Sequence, residues 1–337
     1  MSFDLNKYLI FWRDLMQTIS VVTPCFDEEE NLEECYRTIR DLFEKELPQY
    51  RREHVFCDND STDRTADILR AIAAADPDVK VILNARNVGP MRSTFNGVLA
   101  TSGDAVVLFM PADLQDPPDL IPQMVRHWEQ GNEIVYGVRA TRSEGAVMRS
   151  LRKLYYRLIS STSTIKVPLD VGDFQLVSRR IVDAMRRVED AYPYMRIMTF
   201  EAGGKAVGIP YHWRARRRGL SKNSLLQLLD QGLNGLVTFT AAPMRLALYF
   251  GFLISLTSVL YAVANFVLAL VFYGRLAEPG ILTLIVALFF FGGVQLFFLG
   301  LLGEYIIAIY GQVRRKPMVV ERERINFPAA GQDSRQN

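Results

Sequence analysis

Two runs of uncharged, predominantly apolar residues fill much of the carboxyl-terminal third of the chain, Leu246 to Phe272 and Gly280 to Gly303. Each is long enough to cross about 30 Å of hydrocarbon at ~1.5 Å per residue. A core helix of such length keeps a polar stripe, and neither run has one. They are read as two transmembrane helices, about 246–272 and 281–303, within a hairpin at 244–312. The connecting loop, Tyr273 to Pro279, is short, so both chain ends fall on one side of the membrane. Arg245 precedes the first run and Arg314, Arg315 and Lys316 follow the second, whereas the loop sets Arg275 against Glu278. By the bias of basic residues toward the cytoplasm, both termini are expected there. The opening MSFDLNKYLIFWRDL is charged and shows no cleavage region, which keeps the preceding domain cytoplasmic as well. The expected location is the inner (plasma) membrane, with two passes and the lipid bilayer as a partner.

Composition narrows the chemistry. A net charge of +2 is too small for bulk nucleic-acid binding. Cys25, Cys35 and Cys57 are the only cysteines, an odd and sparse set that argues against a disulfide framework. With 3 His and 3 Cys there is no zinc-type cluster, so a metal would sit on oxygen ligands.

Residues 1–212 read as one α/β domain. Short β-rich runs (Thr18–Thr23, His54–Cys57, Val79–Leu83, Ala105–Met110, Glu133–Tyr136) alternate with helical stretches near Glu29–Leu47, Asp63–Ala75, Met91–Ala100 and Asp119–Gln130. That alternation predicts a mostly parallel sheet with crossover helices and ligands at the carboxyl ends of its strands. A basic and amphipathic segment follows at 213–243, and a tail at 313–337.

The chemistry-bearing residues fall after the strands. The first strand runs into Thr23-Pro24-Cys25-Phe26-Asp27-Glu28, and the second ends in Asp58-Asn59-Asp60-Ser61-Thr62-Asp63. Helix capping accounts for Ser61 to Asp63 but not for Asp58, which sits where a base or ribose would lie. The fourth strand leads into Pro111-Ala112-Asp113-Leu114-Gln115-Asp116-Pro117-Pro118. Two carboxylates and an amide oxygen crowd this turn, a set that suits Mg²⁺ or Mn²⁺ against a diphosphate.

Together these segments resemble the family 2 glycosyltransferases of the GT-A fold, and within them the polyprenyl-phosphate glycosyltransferases, from about Ile19 to Pro317. The resemblance continues through Asn87-Val88-Gly89, Tyr136-Gly137-Val138-Arg139, Gly172-Asp173-Phe174, Arg216 with Ser221-Lys222, and Leu302-Gly303-Glu304-Tyr305. It implies a GT-A (Rossmann-like) nucleotide-sugar domain followed by a two-helix hairpin. The implied activity is metal-dependent, inverting transfer of a hexose from a nucleotide diphosphate sugar, UDP-linked in the first instance, to a polyprenyl phosphate. It also implies site residues: Pro24, Glu28, Asp58, Asp60, Asn87, Asp113 and Arg139 on the nucleotide sugar, Asp113 and Gln115 on the metal, Asp173 with Asp113 as catalytic residues, and Arg216, Ser221 and Lys222 on the acceptor phosphate.

Physics tempers the role of Asp173, because a phosphate monoester is already largely anionic at neutral pH and needs positioning more than deprotonation. Two departures stand out: Asn59 and Pro111 occupy positions where the family usually carries acids. They leave open a GT-A scaffold with impaired catalysis. A processive polysaccharide synthase is the other alternative, although two spans enclose no polymer channel. Gly292, Gly293, Gly300 and Gly303 permit close helix approach, including between copies in a homo-oligomer.

Overall fold

The computed structural model describes residues 16–139, 168, 171–188, 193–212, 249–254, 256–257, 260, 267, 280–313 and 317–328. The chain divides into two units, residues 1–145, 165–222 and 316–337 in the first and 146–164 with 223–315 in the second.

The first unit is built on an eight-stranded sheet. Its strands are β1 (Thr18–Cys25), β2 (Arg51–Asp58), β3 (Val79–Asn84), β4 (Ala105–Val107), β5 (Ile134–Arg139), β6 (Val171–Ser178), β7 (Ala206–Tyr211) and β8 (Glu321–Ile325). They lie in the order β7-β5-β6-β4-β1-β2-β3-β8. The expected parallel core is present: β1 pairs in parallel with β2 and β4, and β2 with β3. Two strands reverse direction. β6 is inserted antiparallel between β4 and β5, and β8 closes the far edge antiparallel to β3.

The helices are α1 (Leu32–Glu46), α2 (Thr65–Ala75), α3 (Pro90–Ala100), α4 (Ile121–Glu129), α5 (Arg179–Arg187) and α6 (Met195–Glu201). Strand alternation sorts them into two layers. Ile19, Val21, Val107 and Leu176 bury one sheet face against Ile39, Leu42 and Phe43 of α1 and Ile121, Met124 and Val125 of α4. Phe56, Val81 and Leu83 extend this face under Leu69 and Ile72 of α2. Val22, Val55, Cys57, Ile82 and Val106 point the other way, onto Phe95 and Val98 of α3, Ile181, Val182 and Met185 of α5, and Met195 and Met198 of α6. Gly97 permits the closest of these contacts, because a β-carbon there would lie 2.2 Å from Cys57 Sγ.

In the second unit the described residues of 249–267 are helical, and α7 (Gly280–Val313) is one helix of 34 residues. Its window Phe290–Ile307 has a mean hydropathy of 1.6, long and apolar enough to cross a membrane. Leu284, Leu288, Phe290, Leu296, Leu299, Ile306 and Ile309 of α7 are exposed.

Candidate active site

Strand register sets the site. Cys25 pairs with Asp58, so β1 and β2 release their chains at the same level. The two loops then lace together. Ser61 Oγ accepts the Asp27 N–H at 2.9 Å, Thr65 Oγ1 accepts that of Glu28 at 2.9 Å, and Asp27 Oδ1 accepts the Thr62 N–H at 2.7 Å. Glu28 also accepts from Asn31 Nδ2 at 2.6 Å, steadying the entrance to α1. Asp27, Asp60 and Leu114 adopt positive φ of 51°, 64° and 54°, costly for residues with a β-carbon. All three follow the carboxyl ends of core strands, where such strain accompanies ligand sites.

Asp58 is fully buried. Its Oδ2 accepts the Ser61 N–H at 3.3 Å, while its Oδ1 is buried without a hydrogen-bond partner. Burial pushes the carboxyl above its ordinary value, against the pull of the Ser61 hydrogen bonds and of Arg322. A buried acceptor left open at a strand end is a place for a ligand N–H or O–H.

Asn59 does what an acid in its place could not. Its Oδ1 accepts from the Val88 N–H at 3.0 Å and from Asn84 Nδ2 at 3.2 Å, while its Nδ2 donates to Asn87 Oδ1 at 2.8 Å. A carboxylate accepts but never donates, so the departure at Asn59 ties the β2 and β3 loops together. Asn87 Oδ1 also takes the Gly89 N–H at 3.0 Å, and Gly89, at φ 87°, supplies the left-handed turn into α3.

The loop after β4 holds two acids with different surroundings. Asp113 is half-buried, and its Oδ1 accepts the Gln115 N–H at 3.2 Å. Asp116 is buried, accepts from the Tyr211 hydroxyl, and lies 3.5 Å from Arg139 Nη2. Arg139 Nε donates in turn to Tyr211 Oη at 3.1 Å. Burial raises the Asp116 carboxyl, with Arg139 and Tyr211 pulling it back. Asp116 thus anchors the ends of β5 and β7. Gly137 lets Tyr211 reach it, since a β-carbon there would lie 2.6 Å from the Tyr211 ring.

Asp173, on β6, grips Arg196 of α6 through both oxygens, at 3.1 Å (Nε to Oδ1) and 2.5 Å (Nη2 to Oδ2). The pair is largely shielded, with 18% and 20% of the side chains exposed. Asp173 and Asp113 both act electrostatically to raise the Asp116 carboxyl. Pro24 lies in β1, opposite Cys57. Arg216, Ser221 and Lys222 lie outside the described residues, as does the rest of the basic segment.

Among the described residues no three His, Cys, Asp or Glu side chains cluster as a metal site. Asp113 and Gln115 nevertheless fit a Mg²⁺ or Mn²⁺ that takes one carboxylate, one amide oxygen and its remaining ligands from phosphate and water. Pro111 offers no side-chain ligand, and Asp116 is committed to Tyr211 and Arg139.

Residues 20–186 match Glycosyl transferase family 2, and residues 242–309 match the GtrB C-terminal hairpin. The SfII prophage-derived bactoprenol glucosyl transferase of Shigella flexneri is 35% identical over 303 residues, which cover 90% of this chain and 96% of that protein. The chain belongs to glycosyl transferase family 2. The uncharacterized glycosyltransferase YkcC of Bacillus subtilis is 34% identical over 306 residues, 89% of this chain and 92% of that one. A glucosyl-3-phosphoglycerate synthase from Mycobacterium tuberculosis, solved with uridine diphosphate, is 22% identical and covers 71% of this chain and 83% of its own, at a TM-score of 0.47. The two family matches agree with the mixed α/β sheet described above and with the carboxyl-terminal hairpin domain that the sequence motifs imply.

Arg196 and Tyr211, the partners of Asp173 and Asp116, carry no motif in the sequence. Nothing local marks either one. Tyr211 is found only by pairing β7 with β5, and Arg196 only by packing α6 beside β6.

Proposed function

We propose that this glycosyltransferase moves glucose from UDP-glucose to a polyprenyl phosphate such as undecaprenyl phosphate at the cytoplasmic face of a membrane. Its similarity along 96% of a bactoprenol glucosyl transferase carries the reading. The open Asp58 oxygen would take the base or ribose, with Asp60 and Asn87 framing the nucleotide and Pro24 and Glu28 shaping the β1 loop. Asp113 and Gln115 would hold a divalent cation, which when bound offsets the charge of the departing nucleotide diphosphate. Arg139, anchored on Asp116 and Tyr211, would reach toward the sugar diphosphate. The Asp173–Arg196 pair would position the acceptor phosphate, itself anionic enough to attack once aligned. Arg216, Ser221 and Lys222 would grip that phosphate where the lipid meets the domain.

Purified protein in detergent, given undecaprenyl phosphate and UDP-glucose, UDP-N-acetylhexosamine or GDP-mannose in turn, should yield lipid-linked glucose. Arg216→Ala should depress transfer about 10- to 100-fold with nucleotide affinity retained. Absence of lipid-linked product from UDP-glucose would overturn the reading. The charge asymmetry about the hairpin favours both termini in the cytoplasm. Reporter fusions at residue 337 and within residues 273–279 should give opposite signals, and a periplasmic signal from the former would reverse the topology.

A further inference from the structure

β8 is the strand that follows the hairpin in sequence, yet it belongs to the same unit as the sheet. It is firmly held. Glu323 bonds to Arg70 Nη2 at 2.8 Å, Glu321 accepts from Asn96 Nδ2 at 2.6 Å, and Asn326 Nδ2 donates to the Ala73 and Val79 carbonyls at 2.7 and 2.9 Å. Its ladder with β3 breaks at one point. Leu83 pairs with Glu323 and Asn84 with Glu321, which leaves Arg322 as the extra residue of a bulge. A bulge re-aims its side chain and is a common device beside active sites. Because β8 is antiparallel to β3, this bulge falls at the carboxyl end of β3, on the ligand side of the sheet. The Arg322 guanidinium lies 4.0 Å from Asp60 Oδ1, with 49% of its side chain exposed. It also pulls on the buried Asp58 carboxyl, whose Oδ1 has no partner.

An open acceptor beside an exposed multiple donor matches one kind of ligand edge, an imide N–H flanked by a carbonyl oxygen. Uracil presents that edge; cytosine, with a bare ring nitrogen there, does not. We propose that Arg322 is a specificity residue of the donor site, its guanidinium donating to the uracil 4-carbonyl, which cytosine replaces by an amino group, while Asp58 accepts the adjacent imide N–H. This assignment rests on the nucleotide reading of Asp58 and adds a residue from beyond the hairpin. The Asp60 carboxylate, 4.0 Å from the guanidinium, is an ion-pair partner on the same side of the sheet.

Calorimetric titration of the full chain in detergent with UMP, UDP and CMP tests it. Arg322→Ala should weaken UMP and UDP binding by the same factor, about tenfold, and narrow the preference for UMP over CMP. Arg322→Gln, which keeps a donor, should recover part of the loss, and the melting temperature without ligand should not move. Unchanged UMP affinity in Arg322→Ala would overturn the proposal. So would a loss confined to UDP, because it would put the guanidinium on the diphosphate. Failure of the wild type to bind either uridine nucleotide would instead remove the donor-site reading beneath it.

Discussion

Replacing Asp113 by alanine is expected to lower turnover about 10²–10³-fold while the protein melts within a few degrees of the wild type. The two halves of that expectation come from one loop. Asp113 is half-buried, and its Oδ1 accepts the Gln115 N–H at 3.2 Å, a contact worth about 1 kcal/mol to the fold. Its larger role is toward a divalent cation and the donor diphosphate. Asp116, three residues on, is the contrasting control. It is buried beneath Tyr211 and Arg139, so Asp116→Ala leaves polar partners unmatched and should cost stability, up to about 3 kcal/mol, before it touches chemistry. Product formation assayed with and without EDTA, alongside thermal melting of each variant, separates the two acids. Near-normal transfer by Asp113→Ala, or in EDTA, would take the metal out of the mechanism.

The second large effect concerns Asp173 and Arg196. Either Asp173→Asn or Arg196→Ala should slow transfer about 10²-fold, as expected for losing a shielded, two-point charged contact. The double variant should be scarcely slower than the worse single, because each side chain acts by holding the other. A carboxylate working alone as a base would behave differently: Arg196→Ala would have its own independent cost, and the two losses would multiply. Multiplying losses would therefore restore Asp173 to the role of an isolated base. The effect should fall on acceptor kinetics, with UDP affinity preserved in all three variants.

Much of this arrangement is legible without coordinates. The first five strands and the first four helices sit where hydrophobic periodicity puts them, and the turn chemistry of Asp58 to Asp63 and of Pro111 to Pro118 marks the loops that carry the site. What is hidden depends on distant partners. β6 runs antiparallel between β4 and β5, and no local pattern in Val171–Ser178 reveals its direction. β8 reads as a charged tail, Glu-Arg-Glu-Arg-Ile, and becomes a strand because β3 offers it an unpaired edge; strand preference is largely set by such context. Asn59 looks like a defect in an acidic motif until Asn87 and the Val88 N–H are placed around it. The Asp173–Arg196 pair, 23 residues apart in sequence, exists only once α6 packs beside β6.

The position of β8 has a consequence in time. The partners Ile82 and Arg324 are separated by the whole of the hairpin sequence. At about 5–20 residues per second, synthesis of the intervening stretch takes roughly 12 to 50 seconds. Throughout that interval β3 is an open edge, able to recruit any extended chain nearby. The sheet is completed only after both apolar segments have left the ribosome, so a chain stalled within them retains an unfinished sheet. If Arg322 reads the donor, such a chain is also kept from full nucleotide affinity until its last strand has been made.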